Sequence, residues 1–324
     1  MPFITNKIRE AKKLAAKYGY LPYIIERYLE FLGFEETIKL LEANEKPLST
    51  WIRANTLKIT ADEISKRLKE KGFVLKKSEW IPYAFELEKQ NSNLGALHEY
   101  LQGYYYLQNI VSMLPAHILN PTSNEFVIDM CAAPGGKSTH LAQLMENKGT
   151  LLLIERNKKR IPALETNLCR MGIYNSIILN FDAKSLDSLD FKADKILLDA
   201  PCTGEGLIIQ DSRRKKSKSI HDIQKMAEIQ KKLLVSGLNS LRDNGLLLYS
   251  TCSIAPEENE FVINEVLDKK SNIEIVQIEQ NYGLPGYTKI FGKTLSSKLK
   301  YSQRFFPHIH NSIGFFLLLL RKRY

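Results

Sequence analysis

Cysteine is scarce in this chain: four among 324 residues, at positions 131, 169, 202 and 252, separated by 38, 33 and 50 positions. No CxxC pair or Cys/His cluster has the spacing of a zinc site, and none of the six histidines suggests a metal. Four cysteines in so long a chain do not make a disulfide framework, and a reactive thiol needs a reducing compartment, so a cytoplasmic protein is expected. Long apolar runs are missing too. The longest, 313–320, is broken by Gly314 and much too short to cross a bilayer. Residues 1–20 scatter lysines among apolar residues with no signal-type block, so no membrane role is expected. There is no GxGxxG fingerprint and no internal repeat, and low complexity is confined to Arg213-Arg214-Lys215-Lys216. Acidic residues are outnumbered, 36 against 46 basic, for a net charge of +10 and a pI near 9.2. That excess suits a polyanionic partner, or simply a basic protein.

What is present reads as two parts. Residues 1 to about 46 have apolar residues at helical spacing (Ile24, Ile25, Tyr28, Leu29, Leu32), with Gly33 as a stop. Strands at 51–57, 73–75 and 83–87 around a helix at 61–71 make a small α+β module, and 90–95 reads as a loop. Residues 104–108 lead into a helix ending near Leu119. Strands then alternate with helices, the pattern of an α/β doubly wound sheet. Seven strands are expected, near 126–130, 150–154, 176–180, 195–198, 246–249, 273–277 and 315–320. The clearest helices are 137–146, 161–171, 223–241 and 256–267. Asn244-Gly245 fits a turn into the fifth strand. Pro256 with Glu257 and Glu258 fits a helix start, the acids lying on the positive dipole end. The division is drawn at 1–103 and 104–324.

Two cysteines follow apolar, strand-like runs: Cys202 in Asp199-Ala200-Pro201-Cys202-Thr203-Gly204 and Cys252 in Ser250-Thr251-Cys252-Ser253. In an α/β sheet, chemistry gathers at the carboxyl ends of strands. Two thiols there can work on one substrate, one attacking as thiolate and the other moving a proton; a single such cysteine would more simply be a packed apolar residue. The turn Asp129-Met130-Cys131-Ala132-Ala133-Pro134-Gly135-Gly136-Lys137 closes the first strand of the sheet and opens a helix. Its small residues and free N–H groups allow close approach of a ligand. A phosphate-binding loop would need glycine where Cys131 stands, which leaves a nucleoside-type cofactor. Glu155, 19 residues beyond Gly136, can accept from ribose hydroxyls, and Asp182 from an adenine amino group; singly, each would as readily be a loop cap.

With these residues in view, the chain resembles the Sun-type family of S-adenosylmethionine-dependent RNA cytosine-5 methyltransferases. The likeness rests on DMCAAPGGK from Asp129, Glu155, Asp182, DAPCTG from Asp199, YSTCS from Tyr249 and PEENE from Pro256, and on Arg304-Phe305-Phe306-Pro307-His308 with Gly314-Phe315-Phe316. It covers roughly residue 104 to the end and extends more weakly to Trp51. The resemblance implies a Rossmann-like methyltransferase sheet and S-adenosylmethionine held by Cys131, Ala132, Ala133, Pro134, Gly135, Gly136, Lys137, Glu155, Asp182 and Asp199, with Arg160 at the pocket's border. It implies Cys252 as nucleophile, Cys202 in product release and RNA as substrate, tRNA before rRNA. Asp199 would hydrogen-bond the cytosine ring. Lys137 is the nearest positive neighbour for a thiolate, or an ordinary helix-start lysine. RNA contacts are expected from the amino-terminal module through Arg53, Lys58, Lys66, Arg67, Lys69 and Lys71, with Trp51 either stacking on a base or lying in the core. The basic run 213–218 is a candidate for phosphate contact. After DAPCTG the family often carries an aromatic or proline-rich segment, where this chain has Gln210-Asp211-Ser212-Arg213-Arg214-Lys215-Lys216. No metal is required, and a monomer is assumed.

Overall fold

The computed structural model describes residues 2–89 and 92–324, with side chains from residue 8 onward. The amino-terminal stretch is helical, in three helices: α1 (Pro2–Tyr18), α2 (Pro22–Phe31) and α3 (Phe34–Ala43). Gly33, read as a stop, also begins α3, at a φ of 83° that only glycine adopts without strain. Among the described residues, the buried core of these helices holds no side chain of the small module. Ile24, Ile25, Tyr28 and Leu40 share a core with Ile208, Ile254 and Phe306 of the larger domain.

The module itself consists of β1 (Thr50–Ala54), α4 (Ala61–Glu70), β2 (Val74–Lys77), β3 (Ala84–Lys89), α5 (His98–Leu101) and β4 (Tyr105–Leu107). The Thr60 hydroxyl caps α4 by accepting from Glu63 N at 3.2 Å. Its buried face, Ile64 and Leu68, covers Ile52, Phe85 and Tyr105 of an antiparallel sheet ordered β2-β3-β1-β4. The last strand comes from beyond residue 103: Tyr105–Leu107 pairs with β1 instead of leading directly into a helix. Tyr105 needs that core, where its hydroxyl donates to Leu94 O at 2.6 Å. Of the expected loop, residues 90 and 91 lie outside the described residues, and Leu94–Ala96 forms a 3-10 turn.

The larger domain runs α6 (Ile110–Leu119), β5 (Phe126–Asp129), α7 (Gly136–Leu144), β6 (Thr150–Ile154), α8 (Ile161–Met171), β7 (Ser176–Leu179), β8 (Ala193–Asp199), α9 (Ile220–Asn239), β9 (Leu241–Thr251), α10 (Glu260–Leu267) and β10 (Ile273–Val276). It ends with β11 (Leu284–Pro285), β12 (Lys289–Ile290), β13 (Lys293–Thr294), β14 (Gln303–Phe305), α11 (Pro307–His310) and β15 (Phe315–Lys322). Strands β7-β6-β5-β8-β9 are parallel, and β15 lies antiparallel to β9. The other edge of β15 is shared by β14 and β10. All seven expected strands are in this sheet, and short β14 and β11 bring it to nine. Side chains alternate between its faces, as strand geometry requires. Val127, Leu151, Leu197 and Leu248 meet α6, α7 and α8, while Ile128, Leu152, Ile196 and Leu247 meet α9 and α10.

Two local expectations are corrected. Asn244-Gly245 lies within β9, at an irregularity of the β8–β9 register, rather than in a turn before it. At Pro256 only a 3-10 turn forms (Pro256–Glu258); Asn259, at φ −120° and ψ −96°, breaks the chain before α10. The nearby acids do not simply face a helix dipole. Each turns inward to a partner: Glu257 to Arg27, Glu258 to Thr203 and Ser253, and Glu260 to Arg304.

Candidate active site

Strands β5, β6, β8 and β9 end at one edge of the sheet and deliver the predicted residues there. Asp199 ends β8 and Thr251 ends β9, so adjacent parallel strands carry the two cysteines. Cys202 Sγ and Cys252 Sγ lie 3.1 Å apart. Their loops are laced together by the backbone: Gly206 N donates to Cys252 O at 3.0 Å and Gly314 N to Gly206 O at 2.8 Å. A side chain at Gly206 would stand 2.1 Å from Gly314 O, so glycine is required by the approach itself.

Beside the thiols, Lys137 Nζ meets Asp199 Oδ2 at 2.7 Å, and Ser250 Oγ donates to Asp199 Oδ1 at 2.8 Å. Burial by itself would lower the Lys137 ammonium; the Asp199 carboxylate outweighs it, with a smaller contribution from Cys252, and the pKa is raised. Lys137 is therefore a fixed cation, held on Asp199. Cys202 is pushed well up, first by its contact with Cys252 and then by burial, so it is held as a neutral thiol. Beneath the turn, buried Asp129 accepts from Ser138 Oγ at 2.7 Å and Cys131 N at 3.2 Å, and burial lifts its pKa to about 6. Gly135 makes the turn at φ 103°, and Tyr106 of the module packs against Gly136.

A cavity of about 370 Å³ collects Cys131, Ala133, Glu155, Arg160, Asp182, Asp199, Cys202 and Cys252. Ala132, Pro134, Gly136 and Lys137 line a smaller neighbouring cavity of about 260 Å³ that shares Asp199; Gly135 lines neither. Glu155 is buried, accepts from Asn157 N at 2.7 Å and pairs with Arg160 at 3.4 Å. Asp182 caps the following turn through Lys184 N at 3.1 Å while still facing the cavity. Carboxylates at two strand ends, Phe181 and the small-residue turn line one cavity, a lining suited to a nucleoside with a cationic sulfonium. Among the described residues no cluster of three or more His, Cys, Asp or Glu could hold a metal, and no helix is long and apolar enough to cross a membrane.

Several predicted RNA contacts are corrected. Arg53 is fully buried, donating to Gln108 Oε1 and Gly136 O and to Thr139 Oγ1 at 2.8 Å, so it joins module to turn. Trp51 packs on the core of the larger domain. Lys58 donates to Gln102 O and Arg170 O, satisfying the end of α8. Arg67 and Lys71 are paired with Glu63 and Glu99, leaving Lys66 and Lys69 exposed. In the 213–218 run, Lys215 is buried against Glu45 and Tyr20, Arg213 pairs with Asp211, and Arg214 reaches the cavity with its Nη1 on Thr203 O at 3.1 Å.

The sequence reading missed Arg27, Gln230 and the inward role of Glu258. Arg27 Nη1 meets Glu205 at 2.9 Å in the Cys202 loop, and its Nη2 meets Glu257 at 2.7 Å. Gln230 had a signal: a polar residue on the buried stripe of α9 with Ile223, Ala227 and Leu234.

The sequence pattern of the family described as 16S rRNA methyltransferase RsmB/F matches residues 116–321, and that of the RsmF/B-like ferredoxin-like domain matches 22–93. The chain belongs to the RsmB/F family. Methyltransferases of this family depend on S-adenosylmethionine. Among relatives, the 28S rRNA (cytosine-C(5))-methyltransferase of Mus musculus is 37% identical over 97% of this chain and 40% of its own length. The tRNA (cytosine(72)-C(5))-methyltransferase of Pyrococcus horikoshii is 38% identical over 71% of this chain and 55% of its own. The crystal structure of a methyltransferase homolog protein from Pyrococcus horikoshii superposes with a TM-score of 0.88 at 38% identity, covering 97% of this chain and 99% of that one. The chain spans about half the length of the curated relatives it matches.

Proposed function

We propose that the protein methylates carbon 5 of cytosine in RNA, with S-adenosylmethionine bound by the 131–137 turn, Glu155, Asp182 and Asp199. The observation that carries this reading is the pair of thiols 3.1 Å apart on adjacent strand ends of a methyltransferase sheet. Methylation of oxygen or nitrogen needs no thiol adduct. Carbon 5 of an aromatic ring is a poor nucleophile, and adding a thiolate at carbon 6 makes it enamine-like. The cofactor supplies the methyl group to that carbon.

Cys252 forms the sulfur–carbon 6 bond. Lys137 is the cation beside it, and Cys202 Sγ lies 3.1 Å from the Cys252 sulfur. Asp199, fixed by Lys137 and Ser250, accepts from the cytosine amino group. The strongest cause holding the proton on Cys202 is its contact with Cys252. That contact is lost once Cys252 is bonded to carbon; Cys202 then gives its own proton to water and stands as thiolate, the base at the step that needs one. Directly or through water it takes the carbon 5 proton; the electron pair restores the double bond and expels the Cys252 thiolate. A base paired in a duplex must leave its stack to reach this site.

The substrate favoured by this reading is tRNA, in line with the Pyrococcus relative. A second reading, ribosomal RNA, is favoured by the fuller coverage of this chain in the mouse rRNA relative. Labelled methyl transfer to purified tRNA and rRNA, with nucleoside analysis, distinguishes them. The cysteine roles are tested on denaturing gels. Cys202→Ala is expected to retain a covalent protein–RNA band, whereas Cys252→Ala abolishes both band and turnover. A band with Cys252→Ala and none with Cys202→Ala reverses the assignment.

A further inference from the structure

Directly behind the thiols lies a carboxylate that the chemistry above does not use. Glu258 is fully buried, yet its two oxygens receive four hydrogen bonds. Oε1 accepts from Thr203 N at 2.8 Å and Gln230 Nε2 at 3.2 Å; Oε2 accepts from Thr203 Oγ1 and Ser253 Oγ, both at 2.6 Å. Thr203 follows Cys202, and Ser253 follows Cys252. One side chain thus grips the residue after each cysteine, from the Pro256–Glu258 turn at the far end of the connection that carries Cys252. Gln230 completes the hold by donating to Pro201 O at 2.9 Å, on the other side of Cys202. The Cys252 loop is pinned again by Asn259, which accepts from Thr251 Oγ1 at 2.6 Å and donates to Ser253 O at 2.9 Å.

A buried carboxylate is costly unless its hydrogen bonds are satisfied, and a site that merely needed filling would be served by an apolar residue. The fan of donors has a geometric consequence instead. The two loops leave different strands, and their thiols must meet to within a few tenths of an ångström. Backbone contact through Gly206 fixes how closely the loops approach, but not their sliding past one another. We propose that Glu258 is the positioning residue that sets the register of the two thiols, a role that, for turnover, rests on the cytosine-5 reading above. Its alignment acts on the step where Cys202 takes over from Cys252, where misplacement by about 1 Å costs on the order of a hundredfold.

The test reads thiol register without RNA. Oxidised glutathione, in excess, converts the two thiols to one disulfide and releases two glutathione thiols. The rate of the Cys202–Cys252 linked peptide is followed by mass spectrometry, with thermal unfolding and S-adenosylmethionine affinity measured alongside. Glu258→Ala is expected to slow pairing at least about tenfold with cofactor affinity unchanged, and Glu258→Gln, which can keep most of the contacts by rotation of the two hydroxyls, only about threefold. If Glu258→Ala does not fold, the double variant Thr203→Val with Ser253→Ala cuts the same grip from the outside and is expected to slow pairing about fivefold. Pairing within twofold of the wild-type rate in a folded Glu258→Ala, or in the double variant, overturns the proposal. Slow pairing in the variants with no RNA methylation by the wild type would instead overturn the functional reading and leave the register role standing.

Discussion

The sequence places the amino-terminal helices and the small sheet module in one part, 1–103, and the structure treats them differently. Helices α1–α3 share their core with the larger domain: Tyr28, Ile25 and Leu40 are buried with Ile208, Ile254 and Phe306, and Arg27 reaches the Cys202 loop through Glu205. The module has its own core around Ile52, Ile64 and Phe85 and meets the larger domain at the end of α8 and at the 131–137 turn. Asn55 Nδ2 donates to Met171 O at 2.8 Å, Arg53 to Gly136 O at 2.7 Å, and Arg170 stacks over Tyr100 at 4.0 Å. The difference teaches that neighbouring basic segments need not share a task. The helices brace the thiol loops, while the module carries exposed Lys66 and Lys69.

The sharpest way to break this comparison is Arg27→Met. It strands Glu205 and Glu257 in poorly solvated positions, and removing one partner of a buried pair costs about 3–5 kcal/mol. Chemical denaturation is expected to show that loss, accompanied by slower adduct formation. Unchanged stability and adduct rate would make the helices peripheral.

A smaller effect is expected from pH at the module's docking face, where Tyr83 Oη lies 2.8 Å from His140 Nε2. Burial first, then Arg53 and His117, hold His140 well below its ordinary value. The unfolded chain therefore takes up a proton near pH 6.5 that the folded chain refuses. This contribution is complete above that pH and is lost as pH falls, by up to about 2 kcal/mol at pH 5. Half-buried His117, His308 and His310 shift in the same direction, so His140→Phe is expected to flatten the acid limb only in part. A wild-type acid limb that His140→Phe leaves unaltered refutes the assignment.

The smallest effect on the fold is expected on the module's outer surface. Lys66→Ala with Lys69→Ala should leave stability within about 0.5 kcal/mol. If both lysines meet phosphates, the slope of log affinity for RNA against log salt falls by roughly 0.7–0.9 per contact. An unaltered slope would move the RNA-binding surface elsewhere.

Local pattern carried most of the fold. The Leu- and Ile-rich runs of β5, β6, β8 and β9, with helices between them, need only nearest-neighbour regularity to be recognised, and 161–171 matches α8 to the residue. Short strands such as β14 and β11 carry no such pattern, and β4 had a strand-like composition but a partner 51 to 55 positions away. At the site, motif chemistry marked Cys202, Cys252, Asp199, Lys137, Glu155 and Asp182, and the fold gathers them around two adjoining cavities.

By itself, the sequence determined which residue types stand at the strand ends, because strand, turn and helix signals are written within a few neighbours. It also determined an excess of positive charge. Only the tertiary structure decided which charges remain available. Arg53 and Lys215 look like their exposed neighbours in sequence, but one is spent joining module to turn and the other lies against Glu45. Tertiary packing likewise turned Glu257, Glu258 and Glu260 inward, since a carboxylate's partner is chosen by what lies across the core, and that distance is not encoded by spacing along the chain.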